Sequence, residues 1–135
     1  MSDNTMNDFR HIPRKRFGQH WLNDQDVLDQ IVKAAELNSE DCVLEIGPGK
    51  GALTEKLIES QAKFIQAIEL DRNLIFCLKK RFSHQKKFGL REGDVLSVPL
   101  EADNGLIINK VVANIPYNIT GPILKRLIGE LRKAP

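Results

Sequence analysis

Cysteine is scarce in this chain, and neither Cys42 nor Cys77 has a histidine or a second cysteine beside it at metal-ligand spacing. That pattern excludes structural zinc. It reads as two buried free thiols, and a cytoplasmic location follows from it. No apolar run approaches the roughly 18 residues that a membrane-spanning helix needs, so no membrane association is expected. The N-terminus lacks the apolar core of a secretory signal. Neither sign of charge dominates: 20 Lys+Arg stand against 18 Asp+Glu, a formal net charge of +2. With 41% hydrophobic residues, that balance argues against disorder. Repeats and low-complexity linkers are missing too, and 135 residues make one domain with a real core, too short for two.

What the total charge hides, its distribution shows. Arg10, His11, Arg14, Lys15 and Arg16 form a basic arm ahead of the first periodic segment. A second cluster holds Lys79, Lys80, Arg81, Lys86, Lys87 and Arg91, with no acid from 79 to 91. A solvated face explains either cluster alone. Together in one small domain they point towards a polyanionic partner without fixing it.

The apolar periodicity alternates between helix and strand. Val27, Leu28, Ile31, Val32 and Ala35 predict a helix over 24–37, with Asn23 or Asp24 as its cap. Cys42–Ile46 reads as a buried strand, 52–61 as a helix, 64–70 as a strand and 72–82 as a helix that Asp71 can cap. A weaker strand follows at 88–92. The strongest apolar strand spans 106–113, interrupted by Asn109-Lys110, and helical spacing resumes after Gly121-Pro122. Strands alternating with helices imply an α/β fold, a parallel sheet with right-handed crossovers and helices on both faces. Ligands of such sheets bind beyond the carboxyl ends of the strands. Every candidate residue outside the N-terminal group falls there.

Glu45-Ile-Gly47-Pro-Gly49-Lys-Gly51-Ala52 follows a strand and opens a helix. Gly47, Gly49 and Ala52 satisfy the dinucleotide-type glycine pattern, and Glu69 lies about 20 residues on, where an acid would bind ribose hydroxyls. A plain tight turn with a capping acid is the bland alternative. A diphosphate would sit on the helix N-terminus. Glu45, two residues before the first glycine, instead places a negative charge at the same small cavity. That favours a ligand with an ammonium or sulfonium, S-adenosylmethionine, over NAD. Asp94, ending the third strand, is placed for an adenine amino group, or it merely caps its loop.

Asn114-Ile115-Pro116-Tyr117 ends the strongest strand. An aromatic amine is a poor nucleophile because its lone pair is delocalised into the ring. Acceptors for both of its protons, the Asn114 side-chain oxygen and the Ile115 carbonyl, would help the nitrogen pyramidalise and aim its lone pair. Tyr117 offers a face on which an extruded base can stack, worth about 1–3 kcal/mol. A packed tyrosine after a Pro116 turn is the structural alternative.

Taken together, Glu45-Ile-Gly-Pro-Gly-Lys-Gly51, Glu69-Leu-Asp71, Gly93-Asp94 and Asn114-Ile-Pro-Tyr117 resemble the motif series of the ribosomal RNA adenine N6,N6-dimethyltransferase family. Lys15-Arg-Phe-Gly-Gln-His-Trp-Leu22 resembles the segment that precedes this domain and folds over the cofactor. The resemblance runs from about residue 10 to the C-terminus. It implies a Rossmann-like class I methyltransferase domain over 23–135 behind a basic, cofactor-covering segment at 1–22. S-adenosylmethionine contacts are implied for Gln19, His20, Leu22, Glu45, Gly47, Gly49, Glu69, Asp94 and Asn114. Asn114, Ile115, Pro116 and Tyr117 would serve the target base.

The bacterial small-subunit enzymes of that family dimethylate two adjacent adenosines in a hairpin near the 3′ end of the rRNA. The partner implied is therefore small-subunit rRNA or an immature small subunit, met by a monomer, with both basic clusters on phosphates. Large-subunit rRNA adenine methyltransferases share the motifs. A non-catalytic RNA-binding or assembly factor and an NAD-dependent oxidoreductase are the remaining alternatives. His20-Trp21 departs from the family's usual Asn-Phe, although His still donates a hydrogen bond and Trp still packs. The family's sheet has further strands and a helical C-terminal domain, so the chain reads as a fragment truncated after the fourth strand and its following helix.

Overall fold

The computed structural model describes residues 24–113 together with Lys125. Helix α1 (Gln25–Ala35) starts where Asp24 Oδ1 accepts the N–H groups of Asp26 at 3.0 Å and Val27 at 3.3 Å. That satisfies two of the donors a helix N-terminus leaves open. Strand β1 (Cys42–Ile46), helix α2 (Ala52–Glu59), strand β2 (Phe64–Glu69), helix α3 (Arg72–Arg81), strand β3 (Phe88–Glu92) and strand β4 (Lys110–Ala113) follow. Asp71 caps α3 as the sequence predicts, accepting from Asn73 and Leu74.

All strand pairs are parallel, in the order β3-β2-β1-β4. The central strands β1 and β2 are buried throughout, which is why they read as nearly continuous apolar runs. Alternation along them divides the core. Val43 and Ile65 meet Leu28, Leu53 and Leu57 of α1 and α2, while Leu44, Ile46 and Ile68 meet Val95, Val98, Leu100 and Ile108. Among the described residues the three helices therefore lie over one face and the segment 94–109 covers the other. The helix expected after Gly121 lies outside the described residues except for Lys125, which is helical.

The strand expected over 106–113 is shorter, beginning at Lys110. Leu106 and Ile108 spend their apolar surface covering the sheet as an irregular segment, and Ile107 is exposed. Asn109 explains the change. Its main-chain N–H donates to the Cys42 carbonyl at 3.0 Å, and its side-chain Oδ1 takes the Cys42 N–H at 2.8 Å where a ladder carbonyl would otherwise sit. Its Nδ2 donates to Asp41 at 2.8 Å, and Lys110 reaches Asp41 at 3.0 Å and the carbonyls of Ala35 and Glu36 at 2.7 Å each. The two polar residues that interrupt the apolar run thus tie the C-terminus of α1 to the start of the sheet, where a cation also complements the helix dipole.

A second correction concerns Cys77. Cys42 is buried as expected, but Cys77 is exposed, because α3 buries Ile75 and Leu78 and position 77 faces away from both. No helix among the described residues is long and apolar enough to cross a membrane.

Replacing Asn109 with Ala strands the Cys42 N–H and removes one of three partners of the Asp41 carboxylate, leaving Asn38 and Lys110. The expected cost is about 1–3 kcal/mol in a urea titration. An unchanged midpoint would mean the Asn109 bonds do not hold β4. Hydrogen bonding from Asn38 and Asn109 and the nearby Lys110 ammonium hold the Asp41 carboxyl below its ordinary value. Its contribution is thus complete above about pH 4 and is lost as the pH falls through the depressed folded value.

Candidate cofactor site

The parallel register brings the carboxyl ends of β1, β2 and β3 side by side. Ile46 pairs with Ile68, and Glu69 with Glu92. Gly47 continues the ladder by donating to the Ile68 carbonyl at 3.0 Å, and Gly93 does so by donating to the Glu69 carbonyl at 2.9 Å. The loop after β1, the acid after β2 and the turn after β3 are therefore one continuous rim. β4 ends level with it, Ala113 opposite Ile46.

Glu69 is the hub of that rim. Its Oε1 accepts the Gly49 N–H at 3.2 Å and its Oε2 the Asp71 N–H at 2.9 Å, so the carboxylate joins the glycine loop to the start of α3. Each oxygen keeps a further lone pair for a hydroxyl donor. Asp94 is exposed. One oxygen accepts from Leu96 N at 2.9 Å in a loop cap, and Oδ2 has no partner among the described residues. Both of the roles that the sequence allows Asp94 are thus available to the same side chain.

Glu45 is buried beneath the loop, and Thr54 on α2 donates to it at 2.6 Å. Burial pushes its carboxyl up to about 7, with the Glu69 charge adding to the rise and the Thr54 bond opposing it. The charge that the sequence assigns to Glu45 is therefore partly neutralised near neutral pH. Thr54 was not singled out in the sequence, yet it shares the buried stripe of Leu57 and Ile58, and a hydroxyl in an apolar stripe signals a partner. Gly51 opens α2 with φ +97°, and a Cβ there would stand 2.7 Å from Phe82 Cε2. The last glycine thus lets α3 close on the loop.

The glycine N–H groups are all engaged within the fold: Gly47 with the Ile68 carbonyl, Gly49 with Glu69, Gly51 with the Pro48 carbonyl at 3.0 Å. A diphosphate cradle requires such donors free. The site as built offers carboxylate acceptors instead, which suits the hydroxyls and amines of an adenosine-type ligand. Gln19, His20, Leu22, Asn114, Ile115, Pro116 and Tyr117 lie outside the described residues.

The basic cluster is not one surface. Arg81 donates to the Lys50 carbonyl at 2.7 Å and pairs with Glu55 at 3.0 Å, and Lys87 donates to the Ser60 carbonyl at 3.0 Å. Arg91 holds the carbonyls of Pro99 and Glu101 and the Asp103 carboxylate. Those three cations pin loops to the sheet and helices.

A four-stranded parallel sheet with a glycine loop after its first strand and acids at the ends of its second and third is a Rossmann-like architecture, and its likeness to solved methyltransferases makes it the class I methyltransferase fold. The sequence model of the ribosomal RNA adenine dimethylase family matches residues 10–134. A "Ribosomal RNA small subunit methyltransferase A" from Prochlorococcus marinus (strain NATL2A) is 86% identical over 98% of this chain and 46% of its own length. Among solved structures, a dimethyladenosine transferase from Plasmodium falciparum superposes with TM-score 0.69 at 35% identity, over 78% of this chain and 37% of that one. The 23S rRNA methyltransferase ErmE gives TM-score 0.65 at 30% identity, over 76% and 40%. The chain belongs to the ribosomal RNA adenine dimethylase family, and it spans about half the length of the curated relatives it matches.

Gly51→Ala should cost about 1–3 kcal/mol, from strain at positive φ and the clash with Phe82. Thermal melting checks it, and an unchanged melting temperature would mean α3 does not close on the loop. For Glu45, the folded carboxyl holds its proton up to about pH 7 while the unfolded one releases it near 4.5. The folded state therefore binds more protons in that window, and stability falls as the pH rises from about 4.5 to about 7. Glu45→Gln should remove that slope, gaining at most about 3 kcal/mol over wild type at pH 8. Parallel slopes for the two proteins would place the Glu45 carboxyl in an ordinary, solvated setting.

Proposed function

We propose that the rim binds S-adenosylmethionine and that the protein dimethylates N6 of adjacent adenosines in a 3′-terminal hairpin of small-subunit ribosomal RNA. The observation that carries the cofactor reading is the acidic pair behind an already satisfied glycine loop. Glu69 sits at the rim with its carboxylate on the Gly49 N–H, and Glu45 is buried behind the same loop, so a diphosphate would meet acidic groups and an occupied donor where a cationic ligand meets acceptors. Glu69 would hold the ribose hydroxyls and Asp94 Oδ2 the adenine amino group, with Gly47 and Gly49 forming the floor. When bound, S-adenosylmethionine supplies a methyl group on a cationic sulfur, a leaving group good enough to need no acid help.

The base side of the site follows β4. β4 ends with Ala113 level with Ile46, next to Gly47, and the Asn114–Tyr117 segment is the next in the sequence. Asn114 and the Ile115 carbonyl would accept the amino protons of the adenine, and Tyr117 would stack on its ring after the base leaves its helix, at a cost of a few kcal/mol. Pro116 would stiffen the turn between them. Positioning and exclusion of water carry most of the rate in this scheme. The relative's small-subunit name favours that rRNA over the large-subunit substrate named for ErmE.

Transfer of tritiated methyl groups to unmethylated small subunits tests the reading, using this chain and a version extended to the relatives' length. Methylation that disappears in Asn114→Ala with RNA binding retained supports it. A full-length version that binds RNA and never methylates would make the protein a binding factor. Glu69→Ala should weaken S-adenosylhomocysteine binding by about 3 kcal/mol, the worth of two hydrogen bonds to a charged group. Unchanged affinity would remove Glu69 from the site.

A further inference from the structure

Charge is distributed unevenly along the strand direction. The carboxyl ends, around the site, carry Glu69, Asp71, Glu92 and Asp94 against Lys50 and Arg72, the last paired with Glu92, while the exposed lysines Lys63, Lys79, Lys80 and Lys86 gather at the amino ends. They come from different elements. α3 runs back between the parallel strands β2 and β3, so its last turn delivers Lys79 and Lys80 to the side where β3 begins. Ile65 pairs with Phe88, which sets Lys63 and Lys86, each two residues earlier, level on adjacent chains. The length of β2, six residues at about 3.3 Å each, separates this rim from the cofactor rim by about 20 Å.

None of the four lysine ammonium groups has a hydrogen-bond or ion-pair partner among the described residues. Their neighbours Arg81 and Lys87 do, with Glu55 and the Ser60 carbonyl. The dipole of α3 favours cations in its last turn, which accounts for Lys79 and Lys80 but not for Lys63 and Lys86 outside the helix. Four flexible point charges suit a phosphate backbone contacted for position, not for sequence.

We propose that this amino-end rim is a second RNA-backbone contact, holding a duplex segment about 20 Å from the cofactor rim. It rests on the RNA reading above and adds a place the cofactor site does not need. The acidic cofactor rim then repels phosphates while the lysine rim attracts them, so the RNA is oriented with its target at one end of the domain.

The test uses the full chain and two stem–loop RNAs with the same loop, one stem long enough to reach across the domain and one cut short. Binding is measured across a salt series, with S-adenosylhomocysteine affinity alongside. Wild type should prefer the long stem. K79Q/K80Q and K63Q/K86Q should each lose that preference and show a log–log salt slope shallower by about 2, near 0.9 per phosphate contact. Their S-adenosylhomocysteine affinity should not change. K56Q, which removes a lysine already paired with Asp29, should behave as wild type. Equal binding of both stems by wild type, or an intact long-stem preference in both double variants, overturns the rim as an RNA contact. Absence of any RNA binding overturns the rim and the RNA reading together, and loss of S-adenosylhomocysteine binding by wild type overturns the cofactor reading separately.

Discussion

The carboxylate of Glu69 holds two separate chain segments at once, the glycine loop through Gly49 and the start of α3 through Asp71. Everything at the site depends on that link. It fixes the loop against the sheet before any ligand arrives, and it occupies a loop donor that a diphosphate would otherwise claim. It also places a negative charge beside Glu45, which burial already disfavours in its ionised form. Parallel pairing makes the link possible, because only in-register strands bring Gly47, Glu69 and Gly93 to one edge.

Much of this arrangement was legible in the sequence. Glycines followed by helical spacing, with an acid at the end of the next apolar run, place a loop and its partner without coordinates. The Asp71 cap was equally plain, since a short acid before a periodic segment has one energetically favourable use, whereas the first cap lay between Asn23 and Asp24 until the structure showed Asp24. β4 was harder. Its apolar run, Leu106–Ile108, serves to cover a sheet face as well as it would serve a ladder, and composition does not distinguish the two uses. What decided between them was the side chain of Asn109, bonded to residues nearly seventy positions earlier. Such long-range partners leave no local pattern.

The same limit explains Cys77 and the basic cluster. An exposed thiol on a helix and a buried one differ by a rotation of the helix, which a one-residue choice of phase sets. Arg81, Lys87 and Arg91 look alike in sequence to Lys79, Lys80 and Lys86, yet the first three reach acceptors that only the tertiary fold brings near. A run of like charge is therefore a mixture of fasteners and free surface. Glu45 shows the reverse case. The sequence located it correctly at the loop, and Thr54 with the surrounding core then altered its proton affinity.

The central claim is that this rim accepts an adenosine attached to a sulfur-centred side chain and not one attached to a diphosphate. Calorimetric titration of the chain with S-adenosylhomocysteine and, separately, with NADH tests it most directly. The account predicts saturable binding of S-adenosylhomocysteine and none of NADH at the same concentration. Tight binding of NADH with no response to S-adenosylhomocysteine would contradict it.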